Sequence, residues 1–120
     1  MPWQYDQSSG NMSHNGVFLV KAYSGAGIGK DNPEMEQVRN VGPIPKGMWR
    51  IGSPRNSAQS GPYVLDLTPI GHTAHGRTDF LIHGDKKDNP GNASTGCIIL
   101  NRKYREQIVK SNDYTLIVVR

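Results

Sequence analysis

The sequence predicts one mainly β domain with a single short α-helix near its C-terminal end. Glycine and proline are frequent, at 14 and 8 of 120 residues, and turn-rich chains with short apolar runs are mostly β. The apolar runs at 17–23, 80–83 and 114–119 are brief and strand-like. One segment, 102–110, carries a helical stripe, with Tyr104 and Ile108 at i and i+4. A chain of 120 residues is long enough to bury a core and too short for two domains, so residues 1–120 are expected to form one.

Residues 1–16 are polar, with Trp3 and Tyr5 as the large apolar anchors and S-S-G-N and S-H-N-G as turns. Trp3-x-Tyr5 is either a short edge strand packing one ring inward or a loosely held terminus. In 17–23, Val17, Leu19 and Tyr23 alternate with Phe18, Val20 and Ala22, so both faces are apolar and a buried strand is expected. S-G-A-G at 24–27 is a turn. Residues 28–41 form a long polar connection of the kind that serves as a lid or substrate wall. A short helix over 33–39 would start at Pro33 with Asn32 as its cap. In G-P-I-P-K-G-M-W-R-I-G, residues 42–52, two prolines set an extended approach, Gly47 permits a tight turn, and 48–51 is a strand.

Residues 53–62 read as loop. Residues 63–67 read as a strand with Tyr63, Leu65 and Leu67 on one face, and 68–79 as a second loop carrying His72, His75 and Arg77. A strand at 80–83, a loop rich in Gly, Asn and Asp, and an apolar run at 97–100 follow. Asn101 caps the helix at 102–110, and 114–119 is the last strand. There is no internal repeat and no low-complexity tract.

The formal net charge is +4 and the pI about 9.4, but the basic residues are scattered. Without a compact basic stripe interleaved with aromatics, nucleic-acid binding is not expected. Mild attraction to an anionic polymer, including a cell-wall glycan, fits the charge. No stretch approaches the roughly 20 apolar residues of a membrane span. The N-terminus lacks the basic start and apolar segment of a secretory signal. The expectation is a protein made in the cytoplasm and exported, if at all, by a route that reads no such signal. A single cysteine excludes an intramolecular disulfide.

The chemistry centres on F-L-I-H-G-D-K-K-D-N-P-G-N-A-S-T-G-C-I-I-L, residues 80–100. Cys97, the one thiol, follows a glycine at the end of a loop that begins at a strand-end histidine, His83. That arrangement suits a nucleophile and its base. A loop of this length turns the chain back so that the two side chains meet at the ends of adjacent strands. The amides of Thr95, Gly96 and Cys97 are candidates for an oxyanion hole. The second nitrogen of His83 needs an acceptor, either Asp85 or a backbone carbonyl, with Ser94 able to join the network. The alternative for Cys97, followed by Ile98, Ile99 and Leu100, is an inert core residue.

H-G-D followed by A-S-T-G-C-I-I-L resembles the active-site motif of L,D-transpeptidase (YkuD-type) catalytic domains. G-P-I-P-K-G-M-W-R-I resembles the Pro-x-Gly-x-aromatic-x-Ile segment upstream of that site, and A-Y-S-G its early strand and turn. G-R-T-D-F-L-I-H-G-D, the compact loop before A-S-x-G-C-I-I-L, and the opening W-x-Y-D-Q-S-S-G are similar to the short transpeptidase-related toxins delivered by type VI secretion systems. The resemblance implies a β-sandwich of L,D-transpeptidase type and no cofactor. It implies that Cys97 attacks the carbonyl of the third residue of a peptidoglycan tetrapeptide stem while His83 protonates the departing D-alanine. Hydrolysis, D-amino-acid exchange or cross-linking then follows. It also implies a monomer acting in the periplasm of a target bacterium, with a secretion-system component and an immunity protein as partners.

The chain departs from the pattern at three points. The loop after His83 is short, Thr95 stands where a second histidine is common, and Ile99 replaces the usual arginine. Recognition of the substrate carboxylate then falls to Arg77 or Arg102. A surface ion pair with Asp79 is the other role for Arg77. Tyr23 and Ser24 either border the site or pack an ordinary turn, and Trp49 and Tyr63 either line a glycan groove or belong to the core. Two competing functions remain: a zinc-dependent hydrolase using His72, His75 and His83 with Cys97, and a wall-binding module without chemistry. A solvated loop is the alternative for His72 and His75.

Overall fold

The computed structural model describes residues 2–120. Among them the chain forms β1 (Trp3–Asp6), β2 (Asn11–His14), β3 (Val17–Lys21), β4 (Tyr23–Ser24), β5 (Gly47–Ser57), β6 (Gly61–Ile70), β7 (Leu81–His83), β8 (Ile98–Ile99), α1 (Arg102–Ser111) and β9 (Thr115–Val119). The mainly β reading with one helix after the cysteine holds.

All nine strands join one mixed sheet in the order β3-β2-β1-β9-β5-β6-β7-β8-β4. The strands at its two ends, β3 and β4, are consecutive in the chain and separated by Ala22 alone. One residue spans only about 3.5 Å, so the sheet is rolled until its edges approach each other. The sandwich the resemblance implied is therefore one sheet folded over, not two separate sheets. Trp3, Met12, Trp49, Ile82, Ile98 and Ile108 share the core enclosed by the roll. Each such buried side chain contributes about 1.5–3 kcal/mol.

Trp3 and Tyr5 are both buried, which makes the N-terminal segment a strand. It is not at an edge: β1 pairs antiparallel with β2 and parallel with β9. Trp3 stacks on His14 at a ring-centroid distance of 4.0 Å and donates from Nε1 to Ser111 at 3.2 Å. The turn in S-H-N-G is real. Asn15 and Gly16 both have positive φ, the requirement of a tight hairpin, and they link β2 to β3.

The expected burial of 17–23 is corrected. The β3 strand lies at the end of the sheet, and Val17 and Phe18 are 60% and 57% exposed. The loop read at 53–62 is also corrected. Apart from residues 58–60 it is strand, because β5 and β6 form one long hairpin. Register shifts between Ile51 and Pro54 and between Arg55 and Ser57 bend the hairpin, and Arg55 grips Asp66 at 2.8 and 3.0 Å across it. The strand also extends into the loop read at 68–79, as far as Ile70.

Asn32 accepts from the Glu34 amide at 3.2 Å as a cap should, but the element is a single 3-10 turn, Pro33–Met35, not a helix to residue 39. Asn101 caps α1 through the Lys103 amide at 2.9 Å, and Asn112 ends it in the left-handed region. Trp49 is core. Its ring meets His72 and Phe80 edge-on and its Nε1 donates to the Pro45 carbonyl at 3.0 Å. Tyr63 is half-buried under the Arg102 guanidinium.

Candidate active site

Strand β7 runs parallel to β8 with Ile82 opposite Ile98 and His83 opposite Ile99. One step back along that register, Cys97 lies beside Leu81, whose amide donates to the Cys97 Sγ at 3.3 Å. Side chains alternate along a strand, so Leu81, His83 and Cys97 share one face. That face opens on a polar groove of about 460 Å³ lined by both His83 and Cys97. The tip of the β5–β6 hairpin and the connection carrying Arg39 wall the same groove.

The His83 Nδ1 lies 2.9 Å from the Gly84 carbonyl. A carbonyl only accepts, so Nδ1 carries the proton and Nε2 is left as the acceptor for a proton from substrate or thiol. Burial is the main cause that holds the imidazole below its ordinary pKa, and Arg105 adds to it. The half-buried Cys97 thiol is pushed up to about 11, chiefly by burial and further by the charge of Asp79, against a lowering contribution from the Leu81 amide. At neutral pH the thiol and the imidazole are both uncharged; Sγ donates to the Asp79 carbonyl at 3.6 Å, and no hydrogen bond joins it to His83.

Ser94 ties the S-T-G-C turn together. Its buried Oγ accepts from the amides of Gly25 at 2.9 Å and Gly96 at 3.0 Å, and donates to the Cys97 carbonyl at 2.6 Å. The Gly96 amide is thereby occupied, which removes it from the expected oxyanion donors. Ser24 is fully buried behind the turn, donating to the Gly96 carbonyl at 2.9 Å and accepting from the Ile44 amide at 2.8 Å.

The remaining expectations are met unevenly. Asp85 is not bonded to His83. It accepts from the Tyr23 hydroxyl at 2.7 Å, the Lys86 amide at 2.9 Å and the Gly91 amide at 3.0 Å, and so shapes the loop instead. Tyr23 also accepts from the Ala93 amide at 3.1 Å, clamping both ends of the 85–93 loop. Arg77 lines the groove, but it is buried, and both of its Nη atoms are held. Nη1 donates to the carbonyls of Glu36 at 2.5 Å and Pro43 at 2.9 Å, and Nη2 to those of Gly42 at 3.0 Å and Thr95 at 3.2 Å. That leaves it poorly placed to grip a substrate carboxylate, and the alternative pairing with Asp79 does not form either. Arg102 is outside the groove, bonded to Glu106 at 3.0 Å.

The zinc arrangement does not assemble. His72 is bonded to the Met48 carbonyl at 2.9 Å and His75 to Glu36 at 2.8 Å. No group of three or more metal-binding side chains occurs among the described residues. Sequence reasoning missed Arg39 and Arg55 on the groove wall, and Glu36, a buried carboxylate that also accepts from Gln7 at 2.7 Å. Nothing near them in the sequence marks them, because the fold gathers them from distant segments.

Among the described residues no helix is long and apolar enough to cross a membrane. Comparison with curated proteins finds no match. The family model of the Tlde1 domain matches residues 19–117, a span that holds His83, the S-T-G-C turn and strands β4 to β8. The chain therefore belongs to the Tlde1 domain family of type VI secretion, L,D-transpeptidase-like effectors.

Proposed function

We propose that this effector domain is a cysteine enzyme that trims or exchanges the terminal D-alanine of peptidoglycan tetrapeptide stems in the periplasm of a target cell. The observation that carries the reading is the β7–β8 register, which sets the sole thiol and a correctly protonated imidazole on one face of one groove.

The resting pair being neutral, attack and proton transfer proceed together. Cys97 Sγ bonds to the carbonyl carbon of the third stem residue as its proton passes to His83 Nε2. The amides of Cys97 and Thr95 take the developing oxyanion. His83 then protonates the departing amine as the C–N bond breaks, leaving a thioester. Water, deprotonated by His83, cleaves the thioester and regenerates the thiol. A D-amino acid in place of water gives exchange.

Ile99, buried at the position of the usual arginine, offers the substrate carboxylate nothing. Of the three groove arginines, Arg77 is held by carbonyls and Arg55 by Asp66. Arg39 makes one bond, Nη2 to the Gly76 carbonyl at 3.2 Å, and is exposed. We assign the terminal carboxylate to Arg39.

The test is incubation with purified tetrapeptide muropeptides followed by mass spectrometry. Loss or replacement of alanine by the wild type and not by Cys97→Ala supports the reading, and equal activity of the two proteins sinks it. The raised thiol pKa and the absence of the usual arginine favour one rival, a wall-binding module without chemistry. Retention on isolated sacculi with unchanged muropeptides would establish that rival.

A further inference from the structure

A second concavity of about 760 Å³ lies next to the catalytic strands and shares no lining residue with the groove. Its walls come from segments far apart in sequence: Lys21, the Tyr23 strand, Gly84 and Asp85 after His83, and the start of α1 with Arg102 and Arg105. Four cations, Lys21, Lys30, Arg102 and Arg105, face two carboxylates, Asp31 and Asp85. Asp85 is already occupied by Tyr23 and loop amides, and Asp31 accepts from the Ser24 amide at 3.2 Å.

Arg105 is the unusual member. It is only 4% exposed, yet no carboxylate lies within ion-pair distance of it among the described residues. Nη1 donates to the Leu100 carbonyl at 2.5 Å and Nε to the Tyr63 carbonyl at 3.0 Å, while Nη2 makes no bond among the described residues. Arg77 provides the contrast: it too is buried, but both of its Nη atoms hold carbonyls. A buried guanidinium without a counter-ion is costly, and a ligand anion offsets that cost. Gly84 keeps the guanidinium uncovered, since a Cβ there would lie 3.0 Å from Nη1 and 3.5 Å from Nη2.

We propose that this basin is a second ligand site that takes an oxyanion, a carboxylate or phosphate group, on the Nη2 of Arg105, with Lys21 as the supporting cation. Its ligand is separate from whatever occupies the groove. On a wall polymer the same site would hold a neighbouring stem carboxylate, a consequence that rests on the wall-acting reading above.

The experiment is an NMR titration of isotope-labelled protein, following the amides of Gly84, Asp85 and Asn101 and the Arg105 Nε. Inorganic phosphate is the first probe and needs no enzymatic activity. A disaccharide tetrapeptide, added to Cys97→Ala, is the second. Saturable shifts at these positions with phosphate are expected. Arg105→Lys weakens them about tenfold, as loss of a charge-assisted bond does, and Lys21→Ala about threefold. Should Arg105→Lys fail to fold, Gly84→Ala covers the guanidinium in place and is expected to weaken binding to a similar degree.

Shifts in the basin with the muropeptide identify a stem carboxylate as the source. Shifts with phosphate alone identify a phosphate-bearing ligand. The absence of saturable shifts with both probes, or affinities unchanged in Gly84→Ala and Lys21→Ala, overturns the proposal. Failure of the wall-acting reading leaves the phosphate arm intact, so the two fail separately.

Discussion

Gly96→Ala is the sharpest perturbation available to the nucleophile turn. Gly96 sits at φ +147°, where an L side chain is strained, and a Cβ there would lie 2.5 Å from the Arg77 Nη2 and 3.1 Å from the Phe80 ring. Ordinary contact begins at 3.4 Å, so something must move. Arg77 cannot withdraw freely, because Nη1 and Nη2 are held by the carbonyls of Glu36, Pro43, Gly42 and Thr95. The positive φ costs about 1–3 kcal/mol. Displacing Nη2 from one carbonyl costs about 1.5–3 kcal/mol more, since the donor is charged. The sum, about 2.5–6 kcal/mol, is a large part of the stability of an ordinary domain. Urea denaturation followed by tryptophan fluorescence is expected to show a midpoint about 2 M lower, given the usual slope for a small protein. In an Arg77→Gln background the same substitution is expected to cost less, because the clash partner is shortened. A midpoint within about 0.5 M of wild type, or equal costs in the two backgrounds, would refute the claim that Arg77 props the turn from below.

Four further outcomes are expected. With its pKa near 11, Cys97 should alkylate with iodoacetamide at neutral pH about 100-fold more slowly than a thiol at the ordinary value of 9.0, with a rate that climbs through pH 11. The folded thiol holds its proton longer than the unfolded one. Its contribution to stability is therefore intact below about pH 9 and lost between 9 and 11. The difference in denaturation midpoint between wild type and Cys97→Ala should change over that interval and be flat below it. Arg39→Ala is expected to raise KM about tenfold on stems with a free terminal carboxylate and less than about twofold on amidated stems, with kcat little changed. Steady-state kinetics on the two substrates checks this. Tyr23→Phe removes the bonds to Asp85 and Ala93, and should speed hydrogen exchange at the Ala93 amide about tenfold while the core amides stay protected.

That His83 and Cys97 lie on neighbouring strands was legible in the sequence because it is local: His83 ends one short apolar run and Cys97 opens the next. The parallel direction of the β7–β8 pairing was not. The helix was legible through Asn101 and Ile108. Strand β2 was hidden because N-M-S-H offers only Met12 to the core. The outer half of the β5–β6 hairpin was hidden because S-P-R-N-S is solvated and held by the Arg55–Asp66 pair, so no apolar alternation marks it. Strand β3 misled in the other direction, since Val17 and Phe18 at the sheet edge face solvent and only Leu19 and Val20 pack partly against the core. The supports of the site, Arg77, Ser24 and Ser94, were marked as candidates, but the roles they play were illegible for a different reason. Arg77, Ser24 and Ser94 act largely on backbone carbonyls and amides, several of them far along the chain, and a backbone group leaves no trace in residue identity.

That choice of partners has a chemical consequence. Backbone acceptors and serine hydroxyls do not titrate in the working range of the protein, so the shape of the turn at 94–97 is insensitive to pH. Only Cys97 on the turn and His83 at the end of the neighbouring strand respond. The thiol is held up and the imidazole down, which suppresses the thiolate at neutral pH. A neutral thiol with no second cysteine in the chain is also a poor target for oxidation or disulfide exchange. The bonds that shape the turn and the groups that titrate belong to separate sets of residues. Substitutions at Ser24, Ser94 or Arg77 should therefore act first on stability, and substitutions at His83 first on the rate.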